Sequence, residues 1–232
     1  MKVNEKVTTS SDYGDVVVDW KPGLTTQAVH KKHFYLFAKR AFDLTSSFLG
    51  LLVLFVPSII LAAIILIDSP GASPFFAQKR IGKDGKKFKF YKFRSMIPGA
   101  EDMLDTLLDK NEMDGPVFKI KDDPRITRVG RFIRRKNIDE LPQLINVFLG
   151  NMSLVGPRPP LPREVEVYND YQRQRLEVKP GITCFWQIQP DRNSSTFDEW
   201  MELDIKYIEQ RGIITDLKIL FSTVLKTKGL EG

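Results

Sequence analysis

A single long apolar run dominates the pattern of this chain: residues 47–67, SFLGLLVLFVPSIILAAIILI, contain no charged side chain before Asp68. At about 1.5 Å per helical residue the run measures about 30 Å, enough to cross a bilayer. Pro57 and Ser58 fall at its middle. Proline removes a backbone hydrogen bond and clashes with the preceding turn, so a sharp bend is expected there, with the Ser58 hydroxyl able to satisfy one freed carbonyl. Each half is then about 15 Å long, which reaches the bilayer centre and can return. A helix buried in a soluble core fits less well, because the run carries no polar stripe.

Elsewhere the pattern is that of short amphipathic elements. Residues 74–96 predict a β-hairpin, with aromatic-rich arms around Lys83-Asp84-Gly85. Residues 98–112 predict an acidic amphipathic helix with Met103, Leu104, Leu107 and Leu108 on one side. A basic helix over 125–136 follows, with Ile126, Val129, Phe132 and Ile133 on one face and no acid. Apolar residues at 141, 144, 145, 148 and 149 have the helical period, and Pro142 restricts that helix to starting beside it. A charged helix is expected over 163–178. Thr196 and Glu199 have capping-box spacing ahead of a helix bearing Trp200, Leu203, Tyr207 and Ile208. Gly212 stops that helix, and a last one over 215–228 places Leu217, Leu220, Phe221, Val224 and Leu225 on one stripe. Residues 1–30 are polar, without the apolar core of a signal peptide, and read as a tail. The expected fold class is α+β, mostly α, in three parts: the tail 1–30, a membrane helix over 31–70, and a globular domain over 71–232.

Charge decides how the apolar run is expected to meet a membrane. The 232 residues carry a formal charge of +6, and basic clusters flank the run on both sides: Lys31, Lys32, Lys39 and Arg40 before it, Lys79, Arg80, Lys83, Lys86, Lys87, Lys89, Lys92 and Arg94 after it. Both ends favour the cytoplasmic side, and a re-entrant hairpin leaves both there, whereas a spanning helix sends one across. The same excess of lysine, interleaved with aromatics, also suits a membrane-tethered binder of nucleic acid or another polyanion. A single cysteine, Cys184, excludes an internal disulfide, and neither a zinc-like Cys/His spacing nor a P-loop or GxGxxG sequence is present.

The candidate chemistry lies in residues 137–162, NIDELPQLINVFLGNMSLVGPRPPLP. Asp139 and Glu140 sit at a helix start, where backbone N–H groups and the helix dipole favour anions. Acids at such a place commonly only cap the helix. Arg158, however, is held between Pro157 and Pro159, and a rigid guanidinium suits phosphate oxygens at small entropic cost. Two carboxylates near such an arginine would also suit Mg2+ shared with a substrate phosphate.

KFRSM (92–96), DPRITRVGRFIRR (123–135), DELPQLINVFLGNMSLVGPRP (139–159), KPGIT (179–183) and the later LDIKY and DLKIL closely resemble the bacterial sugar transferases. These are monotopic polyprenyl-phosphate phosphoglycosyl transferases, here of the small single-domain type, and the likeness runs from about residue 34 to the end. The resemblance implies that Asp139 and Glu140 are the catalytic dyad and hold Mg2+. Asp139 would attack a UDP-sugar, release UMP and pass the phosphosugar to polyprenyl (undecaprenyl) phosphate. It also implies phosphate-binding roles for Lys92, Arg94 and Arg158. Arg192 corresponds to an arginine that follows KPGIT in the family, although Asp191 stands where glycine is usual and Cys184 replaces a common glycine. Pro57 and Ser58 would mark the bend of a re-entrant helix, with amphipathic helices at the interface. The implied setting is the cytoplasmic face of a bacterial inner membrane, during exopolysaccharide, capsule or glycan assembly. Expected partners are the UDP-sugar, with a hexose favoured, polyprenyl phosphate, an anionic bilayer, a second copy in a homodimer, and downstream glycosyltransferases. No nucleic acid is expected.

Overall fold

A computed structural model describes residues 33–190 and 195–229. The expected tail 1–30 and Arg192 lie outside the described residues. Helix α1, His33–Asp68, is 36 residues long and contains Pro57. The helix runs through Pro57 without a break. The helix is long and apolar enough to cross a membrane. Its large side chains are bare over most of its length, with Val53 73% and Ile67 82% exposed.

Both ends of α1 are nevertheless tied to the rest of the protein. Near its start, Tyr35 Oη and Lys39 Nζ donate to Asp216 at 2.8 and 2.7 Å. Arg40 donates to the Val147 and Phe148 carbonyls, and Asp43 accepts from the Leu154 amide at 3.0 Å. Near its end, Ile65 packs with Phe93 and Ile133. Asp68 accepts from the Val129 amide at 3.0 Å.

The hairpin forms as expected. Strands β1, Phe75–Ile81, and β2, Lys87–Phe93, pair antiparallel with Phe76 opposite Lys92. Asp84 and Gly85 both take positive φ in the turn, the backbone that an Asp-Gly turn supplies. Helix α2, Arg128–Arg135, begins three residues later than its sequence predicts, because Thr127 caps it by accepting from the Gly130 amide at 2.9 Å. Then come a 3-10 turn, Ile138–Glu140, and helix α3, Gln143–Phe148. Strand β3, Ser153–Val155, pairs in parallel with β4, Gly181–Thr183. Between them lie the short helices α4, Pro162–Glu166, and α5, Asp170–Arg173. Helix α6, Phe197–Gln210, starts on the expected capping box, with Thr196 Oγ1 accepting from the Glu199 amide and Glu199 accepting from the Thr196 amide. Helix α7, Ile213–Gly229, closes the described chain.

Two expected helices differ. Residues 98–112 form turns and a 3-10 helix, Asp105–Lys110, because of that apolar side only Leu107 is buried while Met103 and Leu108 stay exposed. Without a face to bury, an Asp-rich segment gains too little from packing to hold an α-helix. Residues 163–178 break into α4, α5 and a 3-10 segment, Gln174–Glu177, because Asn169 caps a new helix by accepting from the Gln172 amide.

The core gathers where these elements meet. Ile81, Val165, Tyr168, Leu176, Phe197, Trp200 and Met201 pack between the hairpin and α6, while Val155, Ile205, Tyr207, Ile208 and Ile219 join β3 to α6 and α7. Asn146 of α3 fixes the outer edge of β2 by accepting from the Tyr91 amide and donating to the Lys89 carbonyl. That bond sets the distance from Lys92 to the turn preceding α3.

Candidate active site

Asp139 and Glu140 lie within the 3-10 turn rather than in α3 itself. Asn137 precedes them at φ 54°, a left-handed backbone that asparagine tolerates, and this reverses the chain between α2 and the turn. Pro142 caps α3, and the helix has only six residues. The expected anion-holding helix terminus is therefore replaced by side-chain cations. Lys92 Nζ lies 2.8 Å from Glu140 Oε1 and 3.7 Å from Asp139 Oδ2. Arg158 Nη1 lies 3.6 Å from the same Glu140 oxygen.

The two carboxyls experience opposite balances. Burial would raise the Glu140 carboxyl, but the charges of Lys92 and Arg158 outweigh it and hold it at about 2. At Asp139, which is 6% exposed, burial dominates and is only partly opposed by Lys92, so its carboxyl is raised above the usual value. Glu140 adds to that rise, while Arg134 in the last turn of α2 works against it. The outcome is a glutamate ionised at neutral pH next to a desolvated aspartate, an arrangement suited to a nucleophilic carboxylate.

The sequence-predicted residues divide cleanly. Lys92, Asp139, Glu140 and Arg158 meet in one place. Arg94, although two residues from Lys92, is buried and turns its guanidinium to the Ser69 carbonyl beyond the end of α1. Arg125 of the basic segment is likewise structural, pairing with Asp123 at 2.6 Å and donating to the Ala100 carbonyl. For Mg2+, no cluster of three or more His, Cys, Asp or Glu is found among the described residues. The two carboxylates present fit an ion shared with substrate phosphates, since Mg2+ takes one or two protein carboxylates in such sites.

Sequence reasoning missed Arg80, Arg175 and Asp204, all buried. Arg175 Nη2 lies 2.6 Å from Asp204 Oδ2, and Arg80 Nη1 donates to the Pro159 carbonyl at 3.0 Å. A charged side chain carries no local sign that it will be buried against a distant partner, so no signal in the sequence marks them.

Comparison with known proteins places the chain among sugar transferases. Galactosyl transferase CpsE of Streptococcus agalactiae is 48% identical over 193 residues, which cover 83% of this chain and 42% of that protein. UDP-galactose-lipid carrier transferase of Erwinia amylovora is 39% identical over 198 residues, covering 83% and 41%. Exopolysaccharide production protein ExoY of Rhizobium meliloti is 37% identical over 191 residues, covering 81% and 84%. The chain thus spans about two fifths of the first two relatives and most of the third. The family model described as bacterial sugar transferase matches residues 34–228, a span that holds the hairpin, the carboxylate pair and the proline-flanked arginine, and the chain belongs to that family.

Proposed function

We propose that this site transfers a sugar 1-phosphate from a UDP-sugar, favouring a UDP-hexose, to polyprenyl (undecaprenyl) phosphate. The observation that carries the reading is the buried Asp139 carboxyl beside Lys92, with Glu140 held ionised by Lys92 and Arg158. An Asp139 oxygen attacks the phosphorus that bears the sugar, the bond from that phosphorus to the UMP oxygen breaks, and UMP leaves. A polyprenyl phosphate oxygen then attacks the same phosphorus and displaces Asp139, giving the polyprenyl diphospho-sugar. Charge balances in both steps without proton transfer, so Glu140 need not act as a base. Its carboxylate, held at about 2, serves instead as a fixed charge. Lys92 and Arg158 face the diphosphate as preorganised cations. Asp139 and Glu140 would hold Mg2+, which would supply charge neutralisation for the leaving group.

Relatives support the substrate class: one is named undecaprenyl-phosphate galactose phosphotransferase, from Salmonella typhimurium, and another UDP-glucose:undecaprenyl-phosphate glucose-1-phosphate transferase, from Escherichia coli. The test is UMP release from a panel of UDP-sugars with undecaprenyl phosphate and Mg2+; no release with any sugar from folded protein would refute the reading. Arg158→Ala is expected to raise KM for the donor by about 10- to 100-fold through loss of a charge-assisted phosphate contact. An unchanged KM would make that arginine structural.

The membrane placement forms part of the same proposal. Both ends of α1 are bonded to one globular body through Asp216 and Val129, which supports a re-entrant course with both basic flanks on the cytoplasmic face of the inner membrane. Exposed Ile214, Leu217 and Phe221 on α7, and Phe132 among the arginines of α2, suit an interfacial position. Pro57→Ala is expected to straighten α1 and carry one terminus across the bilayer. Unchanged labelling of both termini from one side would show that the proline does not set the course.

A further inference from the structure

Gly156-Pro157-Arg158-Pro159-Pro160 contains three prolines, so this loop has few N–H groups with which to satisfy its own carbonyls. Donors arrive instead from four places outside it. The Pro157 carbonyl accepts from the Gly181 amide at 2.9 Å, and the Pro160 carbonyl from the Ile81 amide at 3.0 Å. Between these backbone bonds, the Arg158 carbonyl accepts from Arg175 Nη2 at 2.8 Å and the Pro159 carbonyl from Arg80 Nη1 at 3.0 Å. Four consecutive carbonyls are therefore pinned, and the middle two by side chains. Gly181 permits this approach: a Cβ there would lie 2.1 Å from the Gly156 nitrogen.

Both arginines are buried, Arg175 being 3% and Arg80 8% exposed. Burying a guanidinium is expensive unless its charge and donors are answered. Arg175 is answered by an ion pair with Asp204 at 2.6 Å, while its Nη1 donates to the Tyr168 hydroxyl at 2.8 Å and its Nη2 to the loop. Among the described residues Arg80 has no comparably close acid, and it lies against the Phe90 ring. Burial, and next to it the like charge of Arg158, bring the Arg80 guanidinium down to about 10. Two cations thus sit behind the Arg158 backbone, while the Arg158 side chain leans toward Glu140 with part of its surface open.

We propose that Arg80 and Arg175 are positioning residues that fix the Arg158 backbone from behind, so that its guanidinium meets the donor diphosphate from a preset place. The catalytic half of this statement rests on the proposed function; the backbone half does not. Arg175 couples the loop to α6 through Asp204, and Arg80 couples it to the hairpin that also carries Lys92. The two cations facing the diphosphate are thereby referenced to a single strand pair.

The test uses the full chain in phosphatidylglycerol nanodiscs with two variants. Arg80→Met removes one staple. Arg175→Met combined with Asp204→Leu removes the other together with its counter-charge, which avoids stranding a buried carboxylate. Amide exchange in peptides covering 153–158 is expected to speed up by about tenfold in each variant, while protection across α6 is retained. KM for the UDP-sugar should rise by about tenfold with a smaller change in kcat, and in an Arg158→Ala background the same substitutions should cost less than about twofold more. A role confined to core stability would lower protection throughout and leave KM in place, overturning the proposal. Unchanged loop exchange, or full additivity with Arg158→Ala, would overturn it too. Faster loop exchange in a protein whose wild type releases no UMP would uphold the backbone assignment and refute the proposed reaction.

Discussion

Asp139→Asn is expected to lower UMP release by a factor on the order of 10³ or more and to leave no phosphosugar attached to the protein, because an amide oxygen cannot replace the carboxylate nucleophile. The fold should survive. The Asp139 carboxyl is raised by burial, so the native state binds its proton more tightly than the unfolded chain does. Such a group opposes folding progressively as pH rises through its native value, and removing the charge relieves that opposition at neutral pH. The melting temperature of Asp139→Asn should therefore equal or exceed that of the wild type. Intact mass after incubation with the UDP-sugar, together with a melting curve, checks both parts. Normal turnover in the variant would sink the nucleophile assignment, and loss of folding would sink the electrostatic account.

Lys92→Met is the second large effect. Lys92 is the largest charge opposing the rise at Asp139 and the largest charge lowering Glu140. Since Asp139 must be ionised to attack, activity should fall as pH drops through its native value, which lies above that of an ordinary aspartate. Removing Lys92 moves that acid limb to higher pH and lowers kcat by about 10²-fold through loss of a preorganised cation. Stability moves in a defined window as well. Glu140, held at about 2, contributes stability above the ordinary glutamate range that is lost as pH falls toward 2. In Lys92→Met only Arg158 and the Gln143 side chain remain to supply it, so the variant should be less stable at neutral pH, by at most about 3 kcal/mol. A pH–rate profile with an unmoved acid limb would show that Lys92 does not govern the aspartate.

Much of the fold is legible in sequence because its signals are local. The apolar run of α1, the Asp-Gly turn of the hairpin and the Thr196–Glu199 capping box each require only neighbouring residues to act, and each forms where expected. Signals that depend on burial elsewhere failed. The acidic segment before residue 112 had the helical period but buried only Leu107 of its apolar side, leaving Met103 and Leu108 exposed. Strands β3 and β4, three residues each, are too short to show any period.

For the site, the sequence alone determined the adjacency of Asp139 and Glu140 and the stiffness around Arg158, because both are properties of covalent neighbours and proline geometry. Only the tertiary structure decided which cation meets which acid. Lys92 reaches Glu140 across 48 residues, Arg94 turns away to Ser69, and Arg175 reaches Asp204 inside the core. All of these are basic residues in charged surroundings. What separates them is where the hairpin, β3 and α6 pack, and packing is a sum of long-range contacts that no window of sequence contains.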